Sequence, residues 1–335
     1  MKMTSTFGGT AAVLSTLALA VLSTNAAQAA NLNPTFSLDA NVELDTDAID
    51  SGAGSTEYSQ GGRVEANLRG EIRSEQYFVR GKGTLILAKD SDTHTDDMWV
   101  QFGQDRWDLQ FGRFEGIDLF PKGKDTLVVH AGGGLAQVYE ANLVRGRAGT
   151  DGGQIALHLQ GDSGLRFELN TLFGDDNVDG TDEDAVSGAR PVIVYEGDGF
   201  SARLGYEYQQ VDLIGGGEIE KEGFGAGATF SLGEALVNLN AAWLDDQTQG
   251  SNVDEVRSYG ANVIYGRFGA GLIYSETELA IGPDPDVTTA YAAYTLPLFD
   301  IDNASVTFAV SGSTADNVGV DDSATGVRMR LNYTF

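Results

Sequence analysis

The chain contains no cysteine, and only six of its 335 residues are proline. Without thiols there can be no disulfide, thiolate metal site or cysteine nucleophile. Scarce proline leaves nearly every backbone N–H free to join a hydrogen-bonded ladder. Basic residues are also few. Against 21 Lys and Arg stand 49 Asp and Glu, a formal charge of −28. Such a chain repels phosphate backbones, so no nucleic-acid partner is expected. Three histidines, His94, His130 and His158, lie in no Ser-His-Asp or metal-ligand spacing. His94 is expected in a short outer loop, His130 in an inward loop and His158 on the inward parity of a strand. Gly132-Gly133-Gly134 and Gly215-Gly216-Gly217 lack the Lys-Ser/Thr and helix of a phosphate-binding loop. No enzymatic activity and no cofactor are expected. Past the leader there is no apolar run long enough for a membrane-spanning helix.

What the chain does have is glycine (44 residues), twelve Tyr and sixteen Phe, without collagen periodicity. Closely packed strands joined by tight turns have this composition. The N-terminus reads as a secretory leader. Lys2 precedes the apolar run Ala11 to Leu22, and Ala27-Gln28-Ala29 fits a small-x-small cleavage site. Residues 1–29 are therefore expected to be a signal peptide, and 30–335 the mature domain.

Period-two alternation recurs along the mature chain. The expected strands are 33–45, 60–73, 74–89, 95–103, 106–113, 153–160, 164–173, 188–197, 199–211, 219–230, 234–245, 254–266, 267–277, 287–297, 303–312 and 323–335. Short connections, such as Arg73-Ser74, Gln104-Asp105 and Gly266-Arg267, alternate with longer ones. One face of many strands is apolar: Phe36, Leu38, Ala40, Val42 and Leu44, or Val327, Met329, Leu331, Tyr333 and Phe335. The opposite faces carry Ser37, Asp39, Asn41, Glu43, Arg203 and Glu207. An apolar exterior around a polar interior is the inverse of a soluble barrel. The expected fold is all-β: a sixteen-stranded antiparallel transmembrane β-barrel with an inward-folded third outer loop. Leu135 to Arg145 could pass for a strand, but counting it gives an odd number and misplaces the later long loops. It is assigned to the loop, 114–152, which then narrows the bore.

Inward parity places Arg63, Arg69, Arg80, Lys82, Arg328 and Arg330 on one wall of the pore. Arg113, Glu115, Asp118, Asp125, Glu140, Arg145 and Arg147 lie at or within the loop, and all are candidate constriction residues. A basic wall facing acidic loop groups would set a transverse field and ion selectivity. In the fourth outer loop, Asp175, Asn177 and Asp179 before Gly180 match the opening of a calcium loop, with Thr181 and Glu183 as further oxygens. A solvated acidic loop is the alternative reading, and divalent ions there would bridge to lipopolysaccharide phosphates.

The run Phe111-Gly112-Arg113-Phe114-Glu115-Gly116-Ile117-Asp118-Leu119-Phe120-Pro121, followed by Tyr139-Glu140-Ala141-Asn142-Leu143-Val144-Arg145, resembles the third-loop region of carbohydrate porins of the raffinose-glycoporin type. The terminal Phe335 is similar to the closing residue of Gram-negative outer-membrane barrels. The resemblance implies a homotrimeric outer-membrane porin passing small hydrophilic solutes, sugars and ions among them, in contact with lipid and lipopolysaccharide. The other class the sequence admits is a closed outer-membrane barrel acting as an adhesin or envelope anchor through acidic outer loops.

Overall fold

A computed structural model describes residues 33–335, apart from 53, 55, 91–92, 125–126, 150–151, 177–183 and 214–215. The expected leader and most of the expected calcium loop lie outside the described residues. The strands are β1 Thr35–Asp50, β2 Glu57–Arg73, β3 Phe78–Ala88, β4 Thr93–Gln104, β5 Trp107–Arg113, β6 Gly153–Gln160, β7 Leu165–Asp176 and β8 Asp184–Gly197. They continue as β9 Phe200–Asp212, β10 Glu218–Leu232, β11 Ala235–Asp246, β12 Val253–Tyr265, β13 Phe268–Leu279, β14 Asp286–Pro297, β15 Ala304–Asp316 and β16 Ser323–Thr334.

Each strand pairs antiparallel with its neighbours in sequence, and β1 also pairs β16, so the sheet closes into a barrel. Closure leaves no row of unpaired backbone groups, the condition for crossing a hydrocarbon layer with strands. The seam runs from Asn41↔Thr334 to Asp50↔Thr325. Phe335 extends it, with its N–H 2.9 Å from the Ala40 oxygen and the Ala40 N–H 2.8 Å from its own oxygen. Tight turns seal one end. Asp198-Gly199, Gly233-Glu234 and Gly266-Arg267 each place a glycine at positive φ, 69°, 64° and 53° respectively.

The apolar parity faces outward. Phe36 and Leu38 are each 74% exposed in the isolated chain, and Leu68, Val100, Leu204, Leu239, Leu272 and Phe308 share that face around the circumference. Such a belt is unsuited to water and suited to lipid.

Three sequence expectations need correction. The first short turn is Ser74 to Tyr77 rather than Arg73-Ser74, and β3 begins at Phe78 rather than at 74. The Ser74 hydroxyl accepts the Tyr77 N–H at 2.9 Å, so a side chain closes a wider turn. His94 is inside β4, opposite Ile86, not in a loop. Several strands also run further toward the long loops than alternation of apolar residues indicates: β1 reaches Asp50, β15 Asp316 and β13 Leu279. Ladder pairing continues above the greasy band, where apolar and polar residues no longer alternate regularly, as in Asp47-Ala48-Ile49-Asp50.

The inner face is less uniformly polar than alternation implied. Val192, Val194, Ala242, Leu244, Val256 and Ile273 point inward and are buried. What covers them is Leu119, Phe120, Tyr139 and Ala141, from the segment between β5 and β6. That segment, 114–152, forms no strand among its described residues, Leu135 to Arg145 included.

Candidate functional site

An irregular segment surrounded by protein must find partners for its backbone groups. This one finds them on the inward side chains of the barrel. Going out, the Phe114 N–H donates to Gln154 Oε1 at 3.1 Å and the Ile117 N–H to Glu168 Oε1 at 3.0 Å. Asn240 and Asn262 both donate to the Pro121 oxygen, at 2.9 and 2.7 Å, and Tyr291 OH to the Lys122 oxygen at 2.8 Å. Further on, Val129 and Ala131 N–H groups donate to the Ser311 and Ser313 hydroxyls at 3.0 Å each. Coming back, the Gln137 N–H donates to Thr277 Oγ1 and the Tyr139 N–H to Ser258 Oγ, each at 2.9 Å. These partners lie on strands from β6 to β15 and share the polar parity. A single segment can touch them all only from inside the barrel.

Close approach is permitted where β10 has no side chains. Gly223, Gly225 and Gly227 all face inward, and a Cβ on Gly225 would lie 2.6 Å from Ala141 Cβ. The two legs meet at a buried polar hub. Glu207 accepts the Leu143 and Val144 N–H groups at 2.9 and 3.1 Å, and the Tyr139 hydroxyl. Arg190, in the next strand, donates to the oxygens of Ile117 at 2.8 Å and Ala141 at 3.3 Å. Burial and the adjoining Glu207 carboxylate push the Tyr139 phenol well above its usual range, so it remains a donor. Locally the β8–β9 pairing skips Arg190 and Pro191, where proline supplies no N–H. Burial, with Lys122 nearby, pushes the His130 imidazole down to about 4, so it is neutral at pH 7 and bonded to Thr289 Oγ1 at 2.7 Å.

The candidate charges divide differently from the sequence reading. A basic wall was expected to face an acidic loop, but most wall cations are paired within the wall. Arg330 grips Asp45 at 2.7 and 2.8 Å, and Arg328 grips Asp47 at 2.8 Å twice. Arg63 lies 3.2 Å from Glu43, and Arg69 bonds Asp39. Lys82 meets Asp97 at 2.6 Å. The reason is register. Asp45 stands opposite Arg330, Asp47 opposite Arg328 and Glu43 opposite Arg63, so neighbouring strands neutralise each other. Arg80 has no carboxylate partner among the described residues. Its Nε bonds Gln101 Oε1 at 2.7 Å and its guanidinium sits 5.0 Å from the Phe78 ring centre.

The loop likewise binds its own charges. Glu115 joins Arg145 at 3.2 Å and Arg147 at 2.9 Å, and Glu140 joins Lys122 at 2.9 Å. Asp118 accepts the Phe120 N–H at 2.9 Å, with Arg145 4.0 Å away. Arg147 crosses to Asp97 and Asp96 on β4, at 2.7 and 3.1 Å, a loop cation against a wall anion. Arg113 donates to the Asp96 oxygen at 2.9 Å and to the Ala148 oxygen, holding the returning leg. Asp125, Asn177, Asp179, Thr181 and Glu183 lie outside the described residues. Of Asp175 only its place in β7 is described. Among the described residues no His, Asp and Glu group could hold a metal ion.

Alternation alone did not single out Glu168, Arg190 or Tyr139. The inward parity of Glu168, Arg190 and Glu207 on three consecutive strands was the available signal. On the short-turn side of the loop the lumen opens into a cavity of about 780 Å3, bordered by Arg80, Trp99, Gln101, Gln110, Ile117 and His158.

A closed sixteen-strand barrel, greasy outside and polar within, is a channel for small solutes in the outer membrane. The chain belongs to the family described as porin-like glycoporin RafY, which matches residues 37–335. Among solved structures it is similar to the trimer form of in-vitro folded OmpT of Vibrio cholerae: 12% identity, 90% of this chain, 99% of the other, TM-score 0.68. It is also similar to the anion-selective porin from Comamonas acidovorans: 15% identity, 90% of this chain, 100% of the other, TM-score 0.68. The Salmonella typhi OmpF complex with daunomycin is 13% identical, over 89% of this chain and 97% of the other, with TM-score 0.63. No curated protein matches.

Proposed function

We propose that residues 114–152 set the narrowest section of this channel and that it passes small hydrophilic solutes of low net charge, sugars among them. The observation that supports this is the run of loop-backbone hydrogen bonds to inward side chains from β6 to β15. Those contacts leave the bore between the loop and the inner face of β1 to β5. The wall charges there are mostly neutralised in pairs, which favours polar solutes without strong preference for one sign. Passage is passive and needs no catalytic group. The proposed assembly is a homotrimer, the form in which the OmpT structure above was solved. Sedimentation of purified protein in detergent tests this, and a monomer mass would contradict it.

The test of the constriction is a loop deletion. Purified protein in a planar bilayer should give discrete conductance steps. Removing part of Leu127 to Ala141 should raise the step size and admit larger sugars in liposome swelling. An unchanged cut-off, with the barrel intact by its heat-resistant gel mobility, would place the loop outside the constriction.

A further inference from the structure

Trp99 is an aromatic side chain turned into a polar lumen. It stands between Lys82 on β3 and Gly112 on β5 and shares the inward face with Asp97 and Gln101. Trp107 and Trp243 have the outward parity of Leu109 and Leu239. A half-buried indole usually gives its N–H to a partner or packs against another ring. Trp99 does neither among the described residues.

The next row of the wall supplies the complement. Arg80, Gln101 and Gln110 lie opposite one another across β3, β4 and β5. The Gln110 carboxamide makes no side-chain hydrogen bond among the described residues, and Arg80 uses only its Nε. All these groups border the cavity of about 780 Å3. In the same cavity Arg69, Arg80, Arg106 and Arg166 are offset by Glu71, Asp105, Asp108 and Glu168. His158 also lines the cavity, between Asp108 at 2.6 Å and Glu168 at 3.3 Å. The site therefore offers a flat apolar surface, uncommitted donors and acceptors at its edge, and charges that largely cancel. A pyranose ring has that complement: a C–H face, equatorial hydroxyls and no charge.

We propose that Trp99, Gln110 and Arg80 form a binding station for one ring of a neutral sugar on the short-turn side of the loop. The indole takes the C–H face, and Gln110 and the terminal N–H groups of Arg80 take hydroxyls. The proposal rests on the channel reading above and adds to it a point of residence inside the bore.

Sucrose titrated against single channels in KCl is the test. It should produce reversible current blocks. Trp99→Ala should weaken the blocking affinity about tenfold, the scale of a lost aromatic contact, while Trp99→Phe should lose less. Each variant's block is referred to its own conductance in sugar-free KCl. In a Trp107→Phe/Trp243→Phe protein the remaining indole fluorescence should respond to sucrose. Glucuronate should block less well than sucrose. A conducting channel whose block is the same with Trp99→Ala, or whose Trp99 fluorescence ignores sucrose, overturns the station and leaves the channel standing. Stronger block by glucuronate overturns the neutral class. A protein that opens no pore in KCl overturns the channel reading itself.

Discussion

Arg190 Nε lies 3.2 Å from Glu207 Oε2, and both side chains are sealed from solvent, at 0% and 1% exposure. Neither charge could stay buried alone, because a desolvated ion without a partner is strongly unfavourable. The pair is kept by what it holds. Arg190 binds the outgoing leg of the loop at Ile117 and the returning leg at Ala141, while Glu207 binds Tyr139, Leu143 and Val144. One ion pair on two adjacent strands therefore clips both legs of an inserted segment.

Glu207→Gln should loosen that clip without opening the barrel. It removes the charge facing Arg190 and one of the two acceptor oxygens used by the loop. Single-channel records should show added open-state noise and a broader distribution of conductance. Arg190→Ala should be harsher, since it leaves Glu207 buried without its cation, a loss of about 3–5 kcal/mol. Traces of Glu207→Gln as quiet as those of the parent would show that the loop is held elsewhere.

Acid should weaken the seating of the loop. The neutral form of His130 is the one that fits its pocket, and its pKa there is about 4 against an ordinary 6.5. The contribution of this group is complete above pH 6.5. It is lost as pH falls from 6.5 toward 4, because the undocked imidazole takes a proton that the docked one refuses. Conductance noise should therefore rise across that interval, and His130→Asn should flatten the rise. A parent channel with pH-independent noise between 7 and 4 would count against this linkage.

Ion selectivity should respond to the wall. Neutralising Arg69 and Lys82 together takes from Asp39 its cation and from Asp97 one of its two, and leaves the bore more negative. The reversal potential in a KCl gradient should move toward cations. The shift should be larger near 0.1 M salt, where screening acts over about 10 Å, than near 1 M, where it acts over about 3 Å. A potential that stays put at low salt would remove these residues from the ion path.

The terminal aromatic should matter for assembly. Phe335 continues the seam with Ala40, and its ring stacks at 5.5 Å on Tyr333 at the outer surface. Phe335→Ser should lower the amount of folded barrel in the outer membrane. Parent levels of heat-resistant protein in membrane fractions would contradict this.

Much of the barrel was legible because a strand with lipid on one side and water on the other repeats every two residues. That is why the placement of all sixteen strands and the inward parity of Arg69, Arg80 and Lys82 followed from the chain alone. Strand ends such as Asp50 and Asp316 were not legible, since their neighbours Ile49 and Ala315 pack inward beside the loop and break the alternation. The charge pattern failed for another reason. Parity says which side of a strand Arg330 occupies, but only register says that Asp45 stands opposite it. The loop anchors were hidden further still, because Ser258, Thr277 and Asn262 bond to backbone atoms that any residue of the loop would present.

Gly223, Gly225 and Gly227 strip side chains from the middle of the inner face of β10, and the loop rests on that bare backbone. With 114–152 in its proposed role, the gauge of the channel is partly recorded in atoms that are missing. A methyl group on Gly225 would meet Ala141 and Leu119 and lift the loop toward the opposite side, throttling flow through a residue that no solute ever touches. Selection could tune throughput on this strand by single carbon atoms, while the charges that greet the solute stay as they are.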